Sequence, residues 1–363
     1  MENPWKVELY RSWDEVDSPG FAEQWRHWME HAPDAHVFYH PAILKAWTDT
    51  YRLLQDISPL YCVARKKDIT VFLPLVLWRR NYKNAFLRLL VPAGFSDYDY
   101  HDPLICGQAT EEDIASFWEV VEKTVFDHKT IIYDEISLSG MRFSGKSDKW
   151  CTEEDVSPYL ELSEHKDYRH FLSSLKGGLR QDLGRRERRM AENGSLEFHC
   201  YGISEQNEAL QALPVFLDAH RQRWPNAYKA NDLHKNILVY GLSEGVVHFS
   251  ELRYNDTPIS WHFGFLFKSR FYHYMPASSH DEKYRNFSPG KIHLSYLIRE
   301  SISGEVKRFD FLKGAHPYKN EWTNLKMGLF RFSYKSRKLN SMLRLVAYNS
   351  LALLREHLDF LVM

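Results

Sequence analysis

The chain has 363 residues, with 47 Lys and Arg against 48 Asp and Glu, a net charge of −1. No global field therefore recruits DNA or an anionic membrane surface. Hydrophobic residues make up 44% and charged residues 26%, the balance of a globular protein large enough for two domains and not of a disordered one. Cys62, Cys106, Cys151 and Cys200 are spread without a Cys-x-x-Cys pair. That sets aside a dithiol motif or a cysteine-built zinc site and reads as reduced thiols of a cytoplasmic protein. The first residues lack the basic start and apolar core of a signal segment, and the apolar run at 69–78 is too short for a membrane span and contains Pro74.

Taken in order, the elements form two similar series. In the first, 7–10 reads as a strand, 19–31 and 41–51 as helices, and 60–64, 69–78 and 85–91 as strands. A helix at 111–126 and strands at 130–138 and 157–162 complete it. A basic helical stretch follows at 165–193, broken near Gly177 and Gly178 and capped by Gly194. It carries Lys176, Arg180, Arg185, Arg186, Arg188 and Arg189, and reads either as a solvated face laced with ion pairs or as a ridge for a phosphate-bearing or acidic ligand.

The second series has a strand at 195–204, helices at 205–223 and 231–242, and strands at 246–254, 259–268 and 270–277. A helix opening at Ser288 and strands at 308–312 and 329–334 follow, and 341–363 is an amphipathic helix suited to docking on the domains or on another subunit. The shared order predicts mixed α/β sheets in two tandem domains, at 1–163 and 195–340, with 164–194 as connector and 341–363 as tail.

The most informative stretch opens the helix at Ser288. Serine is a preferred N-cap, Pro289 suits the first helical position, and Gly290 lets backbone come close. Such a helix start aims unpaired N–H groups outward, which suits an anion such as pyrophosphate, and Arg285 and Lys291 flank it with positive charge. The first series has Asp97, Tyr98, Asp99, His101 and Asp102 at the matching place, an acidic turn that should repel pyrophosphate. Asp97, Tyr98, Asp99 and His101 are expected to line an acceptor cleft, since their spacing matches no common metal site. His273, on a strand, is the general-base candidate because imidazole titrates near neutral pH. Asp310 alternates with Phe309 and Phe311, which points its carboxylate to the opposite face.

The run Arg285, Ser288, Gly290 resembles the coenzyme A pyrophosphate loop of GNAT-type acyltransferases, Arg/Gln-x-x-Gly-x-Gly/Ala, with Ser at the first Gly position. A wider set joins it: residues 38–47, 73–76, 97–103, 183–190, 288–291 and 309–322. In that order they resemble the CelD/BcsL-like acetyltransferases associated with bacterial exopolysaccharide and cellulose synthesis, a double-GNAT branch near the Fem-type aminoacyltransferases. The resemblance spans roughly 35–335. It implies two tandem GNAT domains, with acyl-CoA held by the second alone and no metal, and a pantetheine arm in the gap between strands 270–277 and 308–312. It nominates Tyr318 as acid towards the leaving thiolate and Lys319 for a phosphate or carbonyl oxygen; Asp310, from its place on the strand, is expected to orient Lys319, His273 or the acceptor's amine. The resemblance implies acyl transfer without fixing the acceptor. The phosphate turn followed by Asp310, Tyr318 and Lys319 motivates the leading reading, acyl transfer from acyl-CoA to an amine or hydroxyl of a sugar nucleotide or glycan intermediate, with polysaccharide-synthesis machinery as a candidate partner. The alternatives are a Fem-like transferase using aminoacyl-tRNA, or a catalytically inactive subunit of a polysaccharide synthase.

Overall fold

The computed structural model describes residues 5–82, 85–142, 151–336 and 338–361. The start at 1–4, read above for a signal segment, and the last two residues of the tail helix lie outside them. The chain forms two compact units, one of residues 1–154 with 328–363 and the other of 155–327.

Unit 1 begins with β1 (Lys6–Tyr10), a short α1 (Trp13–Val16), α2 (Pro19–His31) and α3 (Pro41–Leu54). The long helices start where side-chain acceptors on Ser18 and His40 precede a proline. Then come β2 (Asp56–Lys66), β3 (Ile69–Tyr82), β4 (Ala85–Pro92), β5 (Leu104–Cys106), α4 (Glu111–Val121) and β6 (Glu135–Met141). The three-residue β5, which carries no clear alternation, was not expected, and 130–134 is not strand. Pairing is antiparallel from β1 through β4 and parallel between β4 and β6. One face of the sheet buries Leu60, Leu73, Leu90 and Ile136 with Phe117 of α4.

Unit 2 is entered through β7 (Cys151–Glu161) and continues with α5 (Tyr168–Ser174), α6 (Gly177–Ala191), β8 (Leu196–Cys200), α7 (Gln206–Arg223) and α8 (Leu233–Ser243). The strands β9 (Val247–Tyr254), β10 (Thr257–Phe267) and β11 (Arg270–Ser278) precede α9 (Glu282–Arg285), α10 (Pro289–Ser303), β12 (Arg308–Asp310) and α11 (Lys319–Trp322). The stretch read as a connector is thus two helices that pack in the core of this unit, with Phe171, Leu179 and Leu183 against Leu294 and Ile298. Gly194 does not cap α6, whose C-cap is Glu192. It is glycine because a Cβ there would lie 2.3 Å from Asn255 Oδ1.

The chain then returns to unit 1 with β13 (Lys326–Lys335) and α12 (Leu339–Leu361). β13 pairs antiparallel with β6, and β7 pairs antiparallel with β12. Each sheet therefore takes its last strand from the other half of the sequence, which element order alone could not reveal. With that exchange the two sheets have the same order, β1-β2-β3-β4-β6-β13 and β8-β9-β10-β11-β12-β7, with one parallel pair each, β4 with β6 and β11 with β12. The chain is a tandem of two mixed α/β units with one shared strand order. Arg344 fastens α12 to Asp134, which is fully buried, through Nη2 to Oδ1 at 2.6 Å. Among the described residues no helix is long and apolar enough to cross a membrane.

Candidate active site

The parallel pair of unit 2 comes apart. β11 and β12 are in register only over Arg270–Arg308, Phe271–Phe309 and Tyr272–Asp310. β11 runs on to Ser278, while the chain after Asp310 turns away and pairs with β7, Phe311 N donating to Pro158 O at 3.0 Å. Leu312 makes that turn at φ +61° and Gly314 at φ +100°. A leucine in the left-handed region costs about 1–2 kcal/mol, and buried charges hold it there. Asp310 Oδ1 accepts from Leu312 N at 2.9 Å and from Ser157 Oγ at 3.0 Å. Lys319 Nζ donates to Leu312 O at 3.0 Å and Lys313 O at 2.9 Å. Asp310 and Lys319 are 1% and 3% exposed and do not line the cavity described next.

Against the freed edge of β11 lies a cavity of about 350 Å³. Its walls include His273 and Ser278 of β11, Arg285, Ser288, Gly290 and Lys291 at the start of α10, and Tyr318. Six of the eight residues expected at a cofactor or catalytic site thus share one space. Ser288 holds the N-cap position by another mechanism than expected. It has φ +51° and makes no side-chain cap bond; its hydroxyl instead accepts from Arg186 Nη1 at 2.8 Å. Among the described residues the Gly290 N–H has no acceptor, while Lys291 N and Ile292 N both turn to Ser288 O. Gly290 stands so close to β11 that a Cβ would lie 2.6 Å from Ser278 Oγ. Lys291 is bound to Glu321 at 2.7 Å and Asp182 at 3.6 Å. Arg285 is largely exposed, with only Glu282 at 3.8 Å.

His273 is 3% exposed, and its Nδ1 has no hydrogen-bond partner among the described residues. Burial first, and the Lys319 charge second, hold it down at about 3, so it is neutral at pH 7 and weakly basic. Burial pushes the Tyr318 phenol up to about 12, with Arg223 acting the other way; it is a protonated O–H. The sequence reading missed Arg186, Arg223, His220 and Ser278. Arg186 was visible only as one of six cations on α6, and its choice depends on the helix turning that side chain to the Ser288 bend.

In unit 1 the matching splay is filled. β4 and β6 pair only at Leu89–Glu135 and Leu90–Ile136, and the turn after β4 runs into the gap, His101 N donating to Gly140 O at 3.0 Å. Tyr98 and His101 are buried at 4% and 1%. Tyr98 OH donates to Ile43 O at 2.7 Å, and His101 Nδ1 is 3.0 Å from Ser139 O. Asp97 Oδ2 accepts from Tyr51 OH at 2.8 Å and Trp47 Nε1 at 3.0 Å. Asp99 is half-buried beside them, its carbonyl 2.3 Å from where a Gly140 Cβ would stand. Burial would raise the Asp102 carboxyl, but the Arg142 guanidinium at 2.7 Å keeps it below the usual range.

Residues 177–320 match the family model described as an acetyltransferase (GNAT) domain. Among solved structures the chain is similar to FemX, at 9% identity and a TM-score of 0.58, with 89% of this chain and 98% of that one covered. It is similar to a conserved protein of unknown function from Bacteroides thetaiotaomicron VPI-5482, at 11% identity and TM-score 0.51, covering 87% and 97%. It is also similar to the C-terminal domain of a putative lysylphosphatidylglycerol synthetase from Agrobacterium fabrum, at 12% and 0.50, covering 90% and 97%. At these identities the likeness is one of fold. No curated protein matches the chain. Unit 2 carries a GNAT-type acyltransferase domain, a kind of domain that takes acyl-CoA as donor.

Two outcomes follow from this geometry. Lys319→Met keeps the stem and removes the donors, leaving the carbonyls of Leu312 and Lys313 without their partner; urea unfolding should show a loss of about 2–4 kcal/mol. Burial lowers His220, His234 and His248 to about 4 and His273 to about 3, and holds His262 and His293 well below the ordinary imidazole value. The unfolded chain takes up these protons near pH 6.5 and the folded chain does not, so stability is lost as pH falls from 6.5 towards 4. Each group contributes about 1.4 kcal/mol per pH unit. Thermal unfolding should show a steep fall in Tm over that window, and a flat profile would contradict the burial of these rings.

Proposed function

We propose that unit 2 transfers an acyl group from acyl-CoA to an amine or hydroxyl of a sugar nucleotide or glycan intermediate, within the CelD/BcsL-like branch of the fold. One observation carries the donor half of this reading: the open edge of β11 leads to the free Gly290 amide inside the cavity that Tyr318 lines. A diphosphate at Gly290 meets a backbone N–H, the positive end of a fifteen-residue helix and the exposed Arg285. The pantetheine arm lies along β11, where amides left by the departure of β12 hydrogen-bond it and polarise the thioester carbonyl.

The acceptor enters as free amine or hydroxyl and attacks that carbonyl. The C–N or C–O bond forms, the C–S bond breaks, and Tyr318, protonated at neutral pH, gives its proton to the departing thiolate. The proton lost by the acceptor passes to solvent, and Tyr318 is reprotonated from solvent. His273 is too weak a base for that step, and its ring serves as part of the wall against which the incoming group lies. Asp310 and Lys319 act by positioning the 311–314 turn, which keeps the splay open. The filled splay of unit 1, with Tyr98 and His101 buried in it, supports a unit without a coenzyme. The choice of a glycan acceptor rests on the sequence resemblance.

A second reading takes aminoacyl-tRNA as donor, supported by the exposed Arg185, Arg188 and Arg189 of α6; it requires binding that falls steeply with salt. Calorimetric titration with acetyl-CoA and longer acyl-CoAs separates the two, and absence of binding by all of them removes the first. Gly290→Asp should weaken coenzyme A binding about tenfold to hundredfold by placing a carboxylate at the phosphate position. Tyr318→Phe should lower kcat about a hundredfold with the coenzyme A Kd unchanged. Full in-cell function in both variants would favour a non-catalytic subunit.

A further inference from the structure

The charged side chains lining the cavity are Arg223, Arg285 and Lys291, and no Asp or Glu lines it. Lys291 is neutralised by Glu321 and Asp182, and Arg285 stands with it at the α10 end. Arg223 is different. It is the last residue of α7, on the wall formed with Ala219 and His220. Its guanidinium lies 5.6 Å from the Trp224 ring centroid, and no carboxylate of the described residues pairs with it. The nearby acid of α7, Asp218, is taken by Arg221 at 2.9 Å. The positive charge of Arg223 acts on both the Tyr318 phenol and the His220 ring. It lines the same cavity as Tyr318, which the donor reading above sets beside the leaving thiolate.

We infer that Arg223 binds an anionic group of the acceptor, so that this domain acylates acidic compounds: an amine or hydroxyl with a carboxylate or phosphate a few bonds from the atom that takes the acyl group. This rests on the donor reading above, which fills the α10 end with the coenzyme's diphosphate and leaves the α7 wall for the second substrate. A guanidinium is suited to either oxyanion because its planar fork gives paired donors. A cavity with no carboxylate of its own offers a cationic or neutral acceptor nothing to discriminate in its favour. In the reaction the anion stays bound while the amine or hydroxyl of the same molecule, held along the β11 wall, reaches the thioester.

The test uses the full chain in two steps. Titration with coenzyme A comes first, and failure there overturns the donor reading itself. The coenzyme-saturated protein is then titrated with inorganic phosphate, glucosamine 6-phosphate, glucuronate and glucosamine, on wild type, Arg223→Gln and Arg223→Lys. The expected result is that the anionic sugars bind wild type at least tenfold more tightly than glucosamine does. Arg223→Gln should remove that preference and Arg223→Lys keep part of it, with the coenzyme A Kd unchanged within twofold. Phosphate binding without the sugar preference would show an adventitious anion site and overturn the proposal. So would equal binding by wild type and Arg223→Gln, no binding by any anion, or a loss in Arg223→Gln that falls on coenzyme A. With a sugar that turns over, KM should rise in Arg223→Gln while kcat changes less.

Discussion

Leu312 is the point on which the site turns. Its N–H is captured by a buried carboxylate and its C=O by a buried ammonium, Asp310 and Lys319. Without them the leucine would relax from its left-handed conformation, and the chain after β12 would be free to continue alongside β11. A continued ladder would satisfy the same backbone groups at no cost in strain, and it would close the gap that the cavity occupies. Two charges buried at some expense in desolvation thus hold two neighbouring strands apart.

What lies in the opened space is uncharged where chemistry is expected and positive at its two ends. Burial keeps His273 neutral and Tyr318 protonated, so the middle of the cavity offers an acceptor and a donor of hydrogen bonds without net charge. The stacked rings of His262 and His273, 4.6 Å apart, extend that neutral region into the core. Gly264 makes the stacking possible, since a Cβ there would meet His262 Cε1 at 2.3 Å and Tyr272 O at 2.4 Å.

Much of this was legible in the residues. The order of helices and strands, the break at Gly177 and Gly178, and the turn of Arg285, Ser288, Gly290 and Lys291 followed from periodicity and turn chemistry, which are local, whereas Tyr318 came from the family resemblance. What was not legible depends on pairing at long range. The exchange of β7 and β13 leaves no mark on either strand, because a strand reads alike whichever sheet it completes. The tasks of Asp310 and Lys319 were hidden for the same reason: a charged residue near a proposed site looks catalytic until its hydrogen-bond partner is known. Ser288 shows a smaller failure, its residue type naming the right position while its hydroxyl faces Arg186 instead of its own helix.

The strand exchange also decides where this polypeptide can be divided. The catalytic unit is one uninterrupted stretch set into the other unit like an insert, and the two flanking segments of the host meet where Arg331 bridges to Glu154 at 2.5 Å. A fragment begun at residue 195 would lack α5, α6 and β7, stripping the helical cover from α10 and leaving β12 as a bare edge open to aggregation. Cutting at 155 and 327 would preserve both, and a short splice across Glu154 and Gly328 would return the host to a single continuous chain.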